Sequence, residues 1–466
     1  MDKAADGQSG RVWPALGIHA KSAVKPGAYR GAKTAAVWGS PDIKRGGGIH
    51  DEATRRRYLL QRKAQRILFD KYAKINRHGD EVAAFRHRVA MCNRGTDGGN
   101  VEIWTSPDRE RADFKGVQTC GSVWHCPICS PKISNRRRDE INQALVSWLG
   151  PESWRGERHV YLATYTGQHS RETASRGQLD AITRRTAKAL SSFKSSTAYK
   201  RIREAAGVDG VIRALEVTYG EMNGWHVHTH ELIFAARGHL ATLSKIRKLW
   251  ARTLISHDLA GLSEGDGAVV RFGKLRALLD HCFTVKPGTY AAEYVAKYGT
   301  EPEGERGRWG LGSELTRQHM KKGRASDDGR PQRCGHASPW ALLNDALDGD
   351  ELSEELFREF AIAFQGRRQL FWSPGLRKRL GIVDVEDQDI ADNPDERCTI
   401  KAASVDSLDW RLVIAHEARF DLLRAAALGG PPGVESFLAT LRGKRAPYSG
   451  EFASDGSAFI PIRRAA

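Results

Sequence analysis

The alternation of hydrophobic and polar positions predicts three β-strands in the middle of the chain. Residues 159–166, 211–219 and 225–234 follow the period of two that is typical of strands. Turn residues at 220–224 separate the second run from the third. These two strands are therefore expected to form an antiparallel hairpin.

Helical spacing of apolar residues predicts helices on both sides of these strands. The predicted helices cover residues 55–77, 136–149, 177–205, 243–255, 290–298, 339–347, 353–364 and 410–428. Short strands are expected at 269–272 and within 366–376. Seven carboxylates between Asp384 and Glu396 indicate a solvated linker, and residues 1–50, which lack a sustained period, are expected to be disordered. The pattern predicts an α+β fold in which helices pack on an antiparallel sheet.

Three histidines alternate along the third predicted strand. His226, His228 and His230 share one face, because strand side chains point to the two faces in turn. Imidazoles this close together on a buried face are costly unless they are hydrogen-bonded or bound to a metal. For each residue taken alone, a satisfied core histidine is the alternative interpretation. The three together favour a metal site.

The hairpin adds a carboxylate to these histidines. If its turn is symmetric about the middle residue, Glu216 lies opposite His228 and next to His230. Glu216 is therefore predicted as a third metal ligand beside His228 and His230, whereas a register slip of one residue would move it to the other face. His226 lies opposite Thr218 and is left as an additional ligand or a substrate contact.

Four of the seven cysteines cluster upstream with metal-ligand spacing. Cys126-Pro-Ile-Cys129 makes a tight knuckle, and Cys92 and Cys120 supply a second pair of thiolates for a tetrahedral Zn²⁺ ion. His125 is an alternative fourth ligand. Buried free thiols are the alternative interpretation of the cluster. We predict a structural zinc site.

A tyrosine stripe marks the helix predicted over 290–298. Tyr290, Tyr294 and Tyr298 recur every four residues and share one helical face, and Lys297 lies on the same side. A buried aromatic core stripe is the alternative interpretation. Tyrosine and lysine are poor core residues, which favours a role in chemistry.

The overall charge indicates a polyanionic partner. Lys and Arg number 73 against 56 Asp and Glu, which gives a net charge of +17. Nucleic acid is the commonest partner of so basic a chain, and no segment is long and apolar enough to suggest a membrane span. The N-terminus lacks the apolar core of a signal peptide, and the cysteine cluster fits a reducing compartment. We expect a soluble protein of the cytoplasm.

These features together suggest cleavage of a phosphodiester. A metal held by strand histidines polarises the scissile phosphate, and a tyrosine oxygen attacks phosphorus. Because the tyrosine pKa lies near 10, the attack needs the metal and Lys297 to favour the phenolate.

The motifs resemble those of a known family. The alternating histidines, Tyr294-Val-Ala-Lys-Tyr298 and the Cys-Pro-Ile-Cys knuckle resemble rolling-circle plasmid replication initiators of the HUH endonuclease superfamily. The two-tyrosine form also resembles the initiators of small single-stranded DNA phages. The resemblance runs from about Cys92 to Leu380 and includes the segment Gly366-Arg-Arg-Gln-Leu.

The resemblance implies a fold and a reaction. It implies a ferredoxin-like antiparallel sheet and nicking of one strand at a double-strand origin, which leaves a 5′-phosphotyrosine and a 3′-OH primer. Matching positions make His228 and His230 the metal ligands and Tyr298 the nucleophile. Tyr294 falls where plasmid relatives often have a glutamate and phage relatives a second tyrosine, which would rejoin the strand at termination.

Cofactors, partners and layout follow from the residues and the resemblance. We expect catalytic Mg²⁺ or Mn²⁺ and structural Zn²⁺, although imidazole suits Mn²⁺ better than Mg²⁺. The expected partners are plasmid or phage-like origin DNA, single-stranded or supercoiled, a host DNA polymerase, and a host helicase because the chain has no P-loop.

The predicted layout is a disordered basic N-terminus at 1–50, a basic helix at 51–87, a zinc module at 88–133, an HUH endonuclease domain at 134–300, its C-terminal extension at 301–380, and an acidic linker with a helical tail at 381–466.

Two other functions remain open at this point. A relaxase or transposase of the same superfamily would use the same chemistry for DNA transfer or transposition. A non-catalytic zinc-module DNA-binding regulator would carry the histidines for structural reasons.

Overall fold

A computed structural model describes residues 52–69, 72–75, 81–85, 87–150, 158–167, 175–220, 223–236, 238–262, 265–288 and 336–444. The predictions for residues 1–50 and for the helix 290–298, which include Tyr294, Lys297 and Tyr298, lie outside the described residues.

The strands of the described residues are β1 (Tyr72–Ile75), β2 (Glu81–Phe85), β3 (Val101–Thr105), β4 (Ala112–Lys115), β5 (Arg158–Thr166), β6 (Val208–Gly220), β7 (Gly224–Ala236), β8 (Phe283–Pro287), β9 (His336–Ala337), β10 (Leu370–Trp372) and β11 (Ile400–Val405). The α-helices are α1 (Glu52–Ile67), α2 (Cys129–Leu149), α3 (Leu179–Ser195), α4 (Thr197–Ala205), α5 (Leu240–Ser244), α6 (Ile246–Ser256), α7 (Ala268–His281), α8 (Pro339–Leu347), α9 (Glu351–Ala363), α10 (Leu376–Arg379), α11 (Asp387–Asp392), α12 (Ser407–Ala415) and α13 (Arg419–Arg442). The α+β class and the antiparallel sheet are confirmed.

The largest sheet has the strand order β10–β6–β7–β5–β8, and β9 pairs with the end of β6. Its pairings are antiparallel. The long hairpin of β6 and β7 forms its centre, and the predicted register is confirmed because Glu216 pairs with His228 and Thr218 with His226.

Helices cover both faces of this sheet. On one face Trp225, Val227 and Ile233 belong to the main core, which helices α3, α6, α8 and α9 complete. On the other face Leu232 and Phe234 pack against apolar residues of α2. His226 and His228 lie on that second face, nearer the β6–β7 turn, and remain partly exposed. The histidines therefore lie on the sheet face that α2 covers, beyond its apolar contacts with Leu232 and Phe234.

A smaller sheet joins distant parts of the chain. Strand β3 pairs with β4 and also with β11, which comes almost 300 residues later. Behind it lies a separate apolar core that includes Val101, Ile103, Phe114 and residues of α12 and α13. The C-terminal segment is therefore part of the same packed structure as the region around the cysteines.

The structure corrects several predicted elements. The helix predicted over 55–77 ends at Ile67, because the chain next forms a hairpin in which β1 pairs with β2. The strand predicted at 269–272 lies in helix α7, because the β-favouring Val269, Val270 and Phe272 are followed by the helix-favouring segment 274–279. The helix predicted over 177–205 is interrupted at Ser196, whose hydroxyl accepts a hydrogen bond from the Tyr199 amide and caps α4.

The acidic stretch 384–396 is not a solvated linker throughout. It contains helix α11, and Asp387 accepts hydrogen bonds from Arg137 of α2 at 2.6 and 3.0 Å. Ala391 is buried. The carboxylates therefore include partners of basic residues elsewhere in the fold, which the local composition does not reveal.

Candidate metal centres

The first centre lies across three neighbouring strands. His230 of β7 pairs with Ala214 of β6 and Thr164 of β5, and His228 pairs with Glu216 of β6 and Thr166 of β5. Directly paired residues share a face of the sheet, so the register gathers two imidazoles, a carboxylate and two hydroxyls. Strand pairing alone produces this arrangement.

Threonine hydroxyls orient both imidazole rings. Thr164 Oγ1 lies 3.1 Å from His230 Nδ1, and Thr166 Oγ1 lies 3.0 Å from His228 Nδ1. A hydrogen bond at Nδ1 fixes the ring and directs Nε2 away from that partner, which is the usual arrangement of metal-binding histidines. These threonines were not predicted, although their alternation in β5 was visible in the sequence.

Glu216 contacts His230 directly. Its Oε2 lies 2.6 Å from His230 Nε2, and the two residues are only 8% and 6% exposed. The two side chains thus form a buried hydrogen-bonded pair. The predicted proximity of Glu216 to His230 is therefore present in the structure.

His228 and His226 are less tightly grouped. Among the described residues, the only set of three or more His, Cys, Asp or Glu side chains with ligand atoms within 4.8 Å of one another is the cysteine cluster. His228, His230 and Glu216 do not form such a set. The rings of His226 and His228 stack with centroids 5.9 Å apart and planes at 13°. His226 therefore stacks on the ring of His228 and takes no part in the contact between Glu216 and His230.

The donor types match a divalent cation that accepts nitrogen and oxygen, but their ligand atoms do not all lie within 4.8 Å of one another. Two imidazoles held at Nδ1 and one buried carboxylate are donors that suit Mn²⁺, and Mg²⁺ would need further oxygen ligands from outside the chain. The predicted ligands His228, His230 and Glu216 are compatible with either ion.

A buried ion pair that the sequence did not reveal supports the strand from its other face. Lys194 Nζ lies 2.5 Å from Glu231 Oε2 and also contacts the hydroxyls of Tyr199 at 2.7 Å and Tyr165 at 3.2 Å. Burial lowers the pKa of Lys194, and the Glu231 carboxylate opposes that shift. The sequence signal for this ion pair was Glu231, a charged residue at an inward-facing position of the apolar strand β7.

The second centre is the cysteine cluster. Cys92, Cys120, Cys126 and Cys129 are all buried and free of disulfides. The Sγ atoms of Cys92 and Cys129 lie 3.6 Å apart, as do those of Cys126 and Cys92, and the Cys120–Cys129 distance is 3.7 Å. The predicted spacing therefore brings all four thiols together.

The sulfur separations fit one tetrahedral zinc ion. A Zn–S distance of 2.3 Å places tetrahedral sulfurs about 3.8 Å apart. Burial raises the pKa of Cys120, whereas hydrogen bonds from the other three thiols lower the pKa of Cys129. His125 lies outside the group and contacts Ser122 Oγ through Nδ1 at 3.0 Å. The geometry favours four cysteines over the alternative with His125.

Polar groups from distant segments surround this cluster. Gln61 Nε2 of α1 lies 4.0 Å from Cys126 Sγ, and Gln65 Nε2 donates to the Cys92 carbonyl at 2.7 Å. Arg419, the first residue of α13, donates to the Cys92 and Asn93 carbonyls at 3.3 Å. These residues were not predicted, because they lie 27 or more residues from the nearest cysteine they contact.

The described residues include helices of up to 24 residues. No helix among them combines the length and the apolar character that a transmembrane span requires.

Two curated proteins of Streptomyces are similar to this chain. The chain is 26% identical over 370 residues to "Protein rep" of Streptomyces lividans, an alignment that covers 67% of this chain and 75% of that protein. It is 34% identical over 138 residues to "Neomycin resistance protein" of Streptomyces cyanogenus, which covers 25% of this chain and 30% of that protein. No protein-family profile matches the chain, and no solved structure matches it.

Proposed function

We propose that this chain is a plasmid replication initiator that nicks one strand of origin DNA, with a ferredoxin-like catalytic sheet of the HUH type. The observation that carries the proposal is the contact between Glu216 and His230 beside the ring of His228, oriented by threonines on the next strand. The similarity to "Protein rep" over two thirds of the chain and the net charge of +17 support it.

The strand residues would hold and orient a catalytic cation. His228, His230 and Glu216 are the proposed ligands, and Mg²⁺ or Mn²⁺ bound there would supply Lewis-acid polarisation of the scissile phosphate. Thr164 and Thr166 keep the ring orientations through Nδ1. Behind the strand, Lys194 and Glu231 form a buried ion pair in which each charge compensates the other.

Tyr298 is the proposed nucleophile. Its phenolic oxygen forms a bond to phosphorus while the bond from phosphorus to the 3′ oxygen breaks, and that oxygen takes up a proton to become the 3′-OH primer. The DNA remains attached as a 5′-phosphotyrosine. Lys297 would favour the phenolate, and Tyr294 would act in the second transesterification that rejoins the strand.

Zinc at Cys92, Cys120, Cys126 and Cys129 is proposed as structural. The proposed partners are plasmid origin DNA, a host helicase and a host DNA polymerase.

The nicking assay uses the full chain, Mn²⁺ and a supercoiled plasmid that carries the origin. Wild-type protein is expected to yield nicked circles with covalently attached protein. Tyr298→Phe should lower adduct formation by more than about 1,000-fold, because it removes the nucleophile. Tyr294→Phe should mainly impair rejoining. Tyr290→Phe, a change of the same kind on the same predicted helical face, is the matched control and should keep full activity. An unchanged adduct yield in Tyr298→Phe would overturn the assignment.

A DNA-binding regulator is the second candidate function. The cysteine cluster favours it, because that cluster is the metal-ligand group of closest geometry among the described residues. The same assay separates the two functions, since a regulator would retain origin DNA in a mobility-shift gel and leave the plasmid supercoiled.

A further inference from the structure

Arg419 is a buried cation in an unusual place. It is 4% exposed and begins helix α13, where the helix dipole disfavours positive charge. Its Nη1 donates to the Cys92 and Asn93 carbonyls, and its Nη2 donates to Gln65 Oε1 at 3.1 Å. All three acceptors are neutral, so these hydrogen bonds do not compensate the charge of the guanidinium.

No carboxylate of the described residues forms an ion pair with Arg419, and the neighbouring Glu417 pairs with Arg62 and Arg66 instead. A comparable buried residue, Arg137, has Glu140 at 2.8 Å and Asp387 at 2.6 Å. Tyr58, Cys92 and Cys126 are the ionisable acids near enough to act on Arg419. Tyr58 stays neutral because burial raises its pKa further above the usual value, so the cysteines, which become thiolates when they bind zinc, are the candidate counter-charges.

We propose that Arg419 is the counter-ion of a zinc–tetrathiolate centre. This inference rests on the proposed zinc site. Four thiolates and one Zn²⁺ ion carry a net charge of −2, which is costly in a buried position unless a cation lies close by. Arg419 supplies that cation, and the centre in turn compensates the guanidinium. Each group therefore stabilises the other.

The pairing connects three segments of the chain. Gln65 of α1 donates to the Cys92 carbonyl and accepts from Arg419, so α1, the cysteine loop and α13 meet at one point. Tyr58 of α1 and Phe420 of α13 pack beside it with ring centroids 6.1 Å apart. Zinc binding is thereby coupled to the docking of α13 on α1.

Zinc affinity of the full chain tests the proposal. Competition with a chromophoric chelator at fixed pH should show that Arg419→Met weakens zinc binding by about 10- to 100-fold, the range found for groups that surround metal ligands. Arg419→Lys keeps the charge and should stay within about threefold of wild type. Arg137→Met is the matched control: it removes a buried guanidinium of the same region and should leave zinc affinity within about threefold.

The outcomes separate this inference from the zinc site itself. A wild-type chain that binds no zinc would overturn both. A zinc-loaded Arg419→Met chain with wild-type affinity would overturn the counter-ion role alone, as would an equal loss of affinity in Arg137→Met.

A second measurement on the wild-type chain covers the case in which Arg419→Met does not fold. Hydrogen exchange of the zinc-loaded and chelator-treated protein should show faster exchange in the first turns of α13 after zinc removal, and little change in strands β5 to β7. Unchanged exchange at the start of α13, with zinc loss confirmed by elemental analysis, would overturn the coupling.

Discussion

His87 is a buried imidazole that is held neutral. It is 2% exposed, its Nδ1 accepts a hydrogen bond from the Val89 amide at 3.2 Å, and its ring lies edge-on to His125 with centroids 4.9 Å apart. Burial lowers the pKa of His87 to about 4, and the nearby Arg88 guanidinium acts in the same direction. The neutral ring caps the turn that leads into the cysteine loop.

This shift predicts a loss of stability in mild acid. The folded pKa of about 4 lies below the unfolded value of about 6.5, so the unfolded chain binds more protons in this interval. Stability from His87 is complete above pH 6.5 and is lost as the pH falls toward 4. At pH 5 the loss should be about 2 kcal/mol.

Urea unfolding at pH 7 and pH 5 measures this loss. His87→Asn is the control, because asparagine can accept the same amide hydrogen bond and does not titrate. Between pH 7 and pH 5, the free energy of unfolding of His87→Asn should fall by about 2 kcal/mol less than that of the wild type. The same pH dependence in both chains would contradict the assignment.

Helix α13 consists of two helical segments that meet at a kink. Gly429, Gly430, Pro431 and Pro432 predicted a break after residue 428, and the chain kinks there before the second segment runs to Arg442. Gly430 alone leaves helical geometry, with φ 57° and ψ −148°. The two prolines then occupy the start of the second helical segment, where a missing amide hydrogen is tolerated.

The conformation of Gly430 predicts the effect of one added methyl group. Gly430→Ala should destabilise the chain by about 1–3 kcal/mol, because this backbone region is open essentially to glycine alone. A Cβ at this position meets no atom within 4 Å, so the cost is backbone strain and not a clash. Thermal unfolding of the two chains measures the difference.

Gly429→Ala is the matched control. A Cβ added at Gly429 also meets no atom within 4 Å, and Gly429 keeps helical geometry. Alanine there should be neutral or stabilising by up to about 1 kcal/mol. Equal destabilisation by both substitutions would contradict the strain account.

At the scale of the whole molecule, the C-terminal segment completes the structure around the cysteines. Strand β11 pairs along β3, and Trp410 Nε1 donates to the Arg94 carbonyl at 3.0 Å. Phe114 packs edge-on against Trp410, with ring centroids 5.1 Å apart. The region from 400 to 442 therefore covers the apolar side of a sheet that begins 300 residues earlier.

Removal of this segment should damage the amino-terminal region. A chain that ends at Thr399 would expose Val101 and Ile103 and leave β3 as an open edge. Its melting temperature should fall by more than about 10 °C, or the chain should aggregate. A chain that ends at Lys444 retains every described element and serves as the control. Equal melting temperatures for the two truncated chains would contradict this account.

Local signals were sufficient for the β6–β7 hairpin with its histidine face and for the convergence of the four cysteines. The period of two in β6 and β7 and the short turn between them determined the pairing of Glu216 with His228, because a hairpin leaves few registers open. The spacing of the four cysteines similarly anticipated their convergence. Predictions for the tyrosine helix remain predictions.

The sequence by itself thus determined the α+β class, the histidine face and the cysteine set. Only the tertiary structure decided which distant groups complete them: Thr164 and Thr166 beside the histidines, Glu231 with Lys194, and Arg419 beside the cysteines. It also placed β11 next to β3 and docked the acidic stretch on α2. The physical reason is the separation along the chain over which each kind of interaction acts. Periodicity and turn chemistry act over a few residues, whereas charge compensation and sheet completion depend on which surfaces meet after the chain has folded.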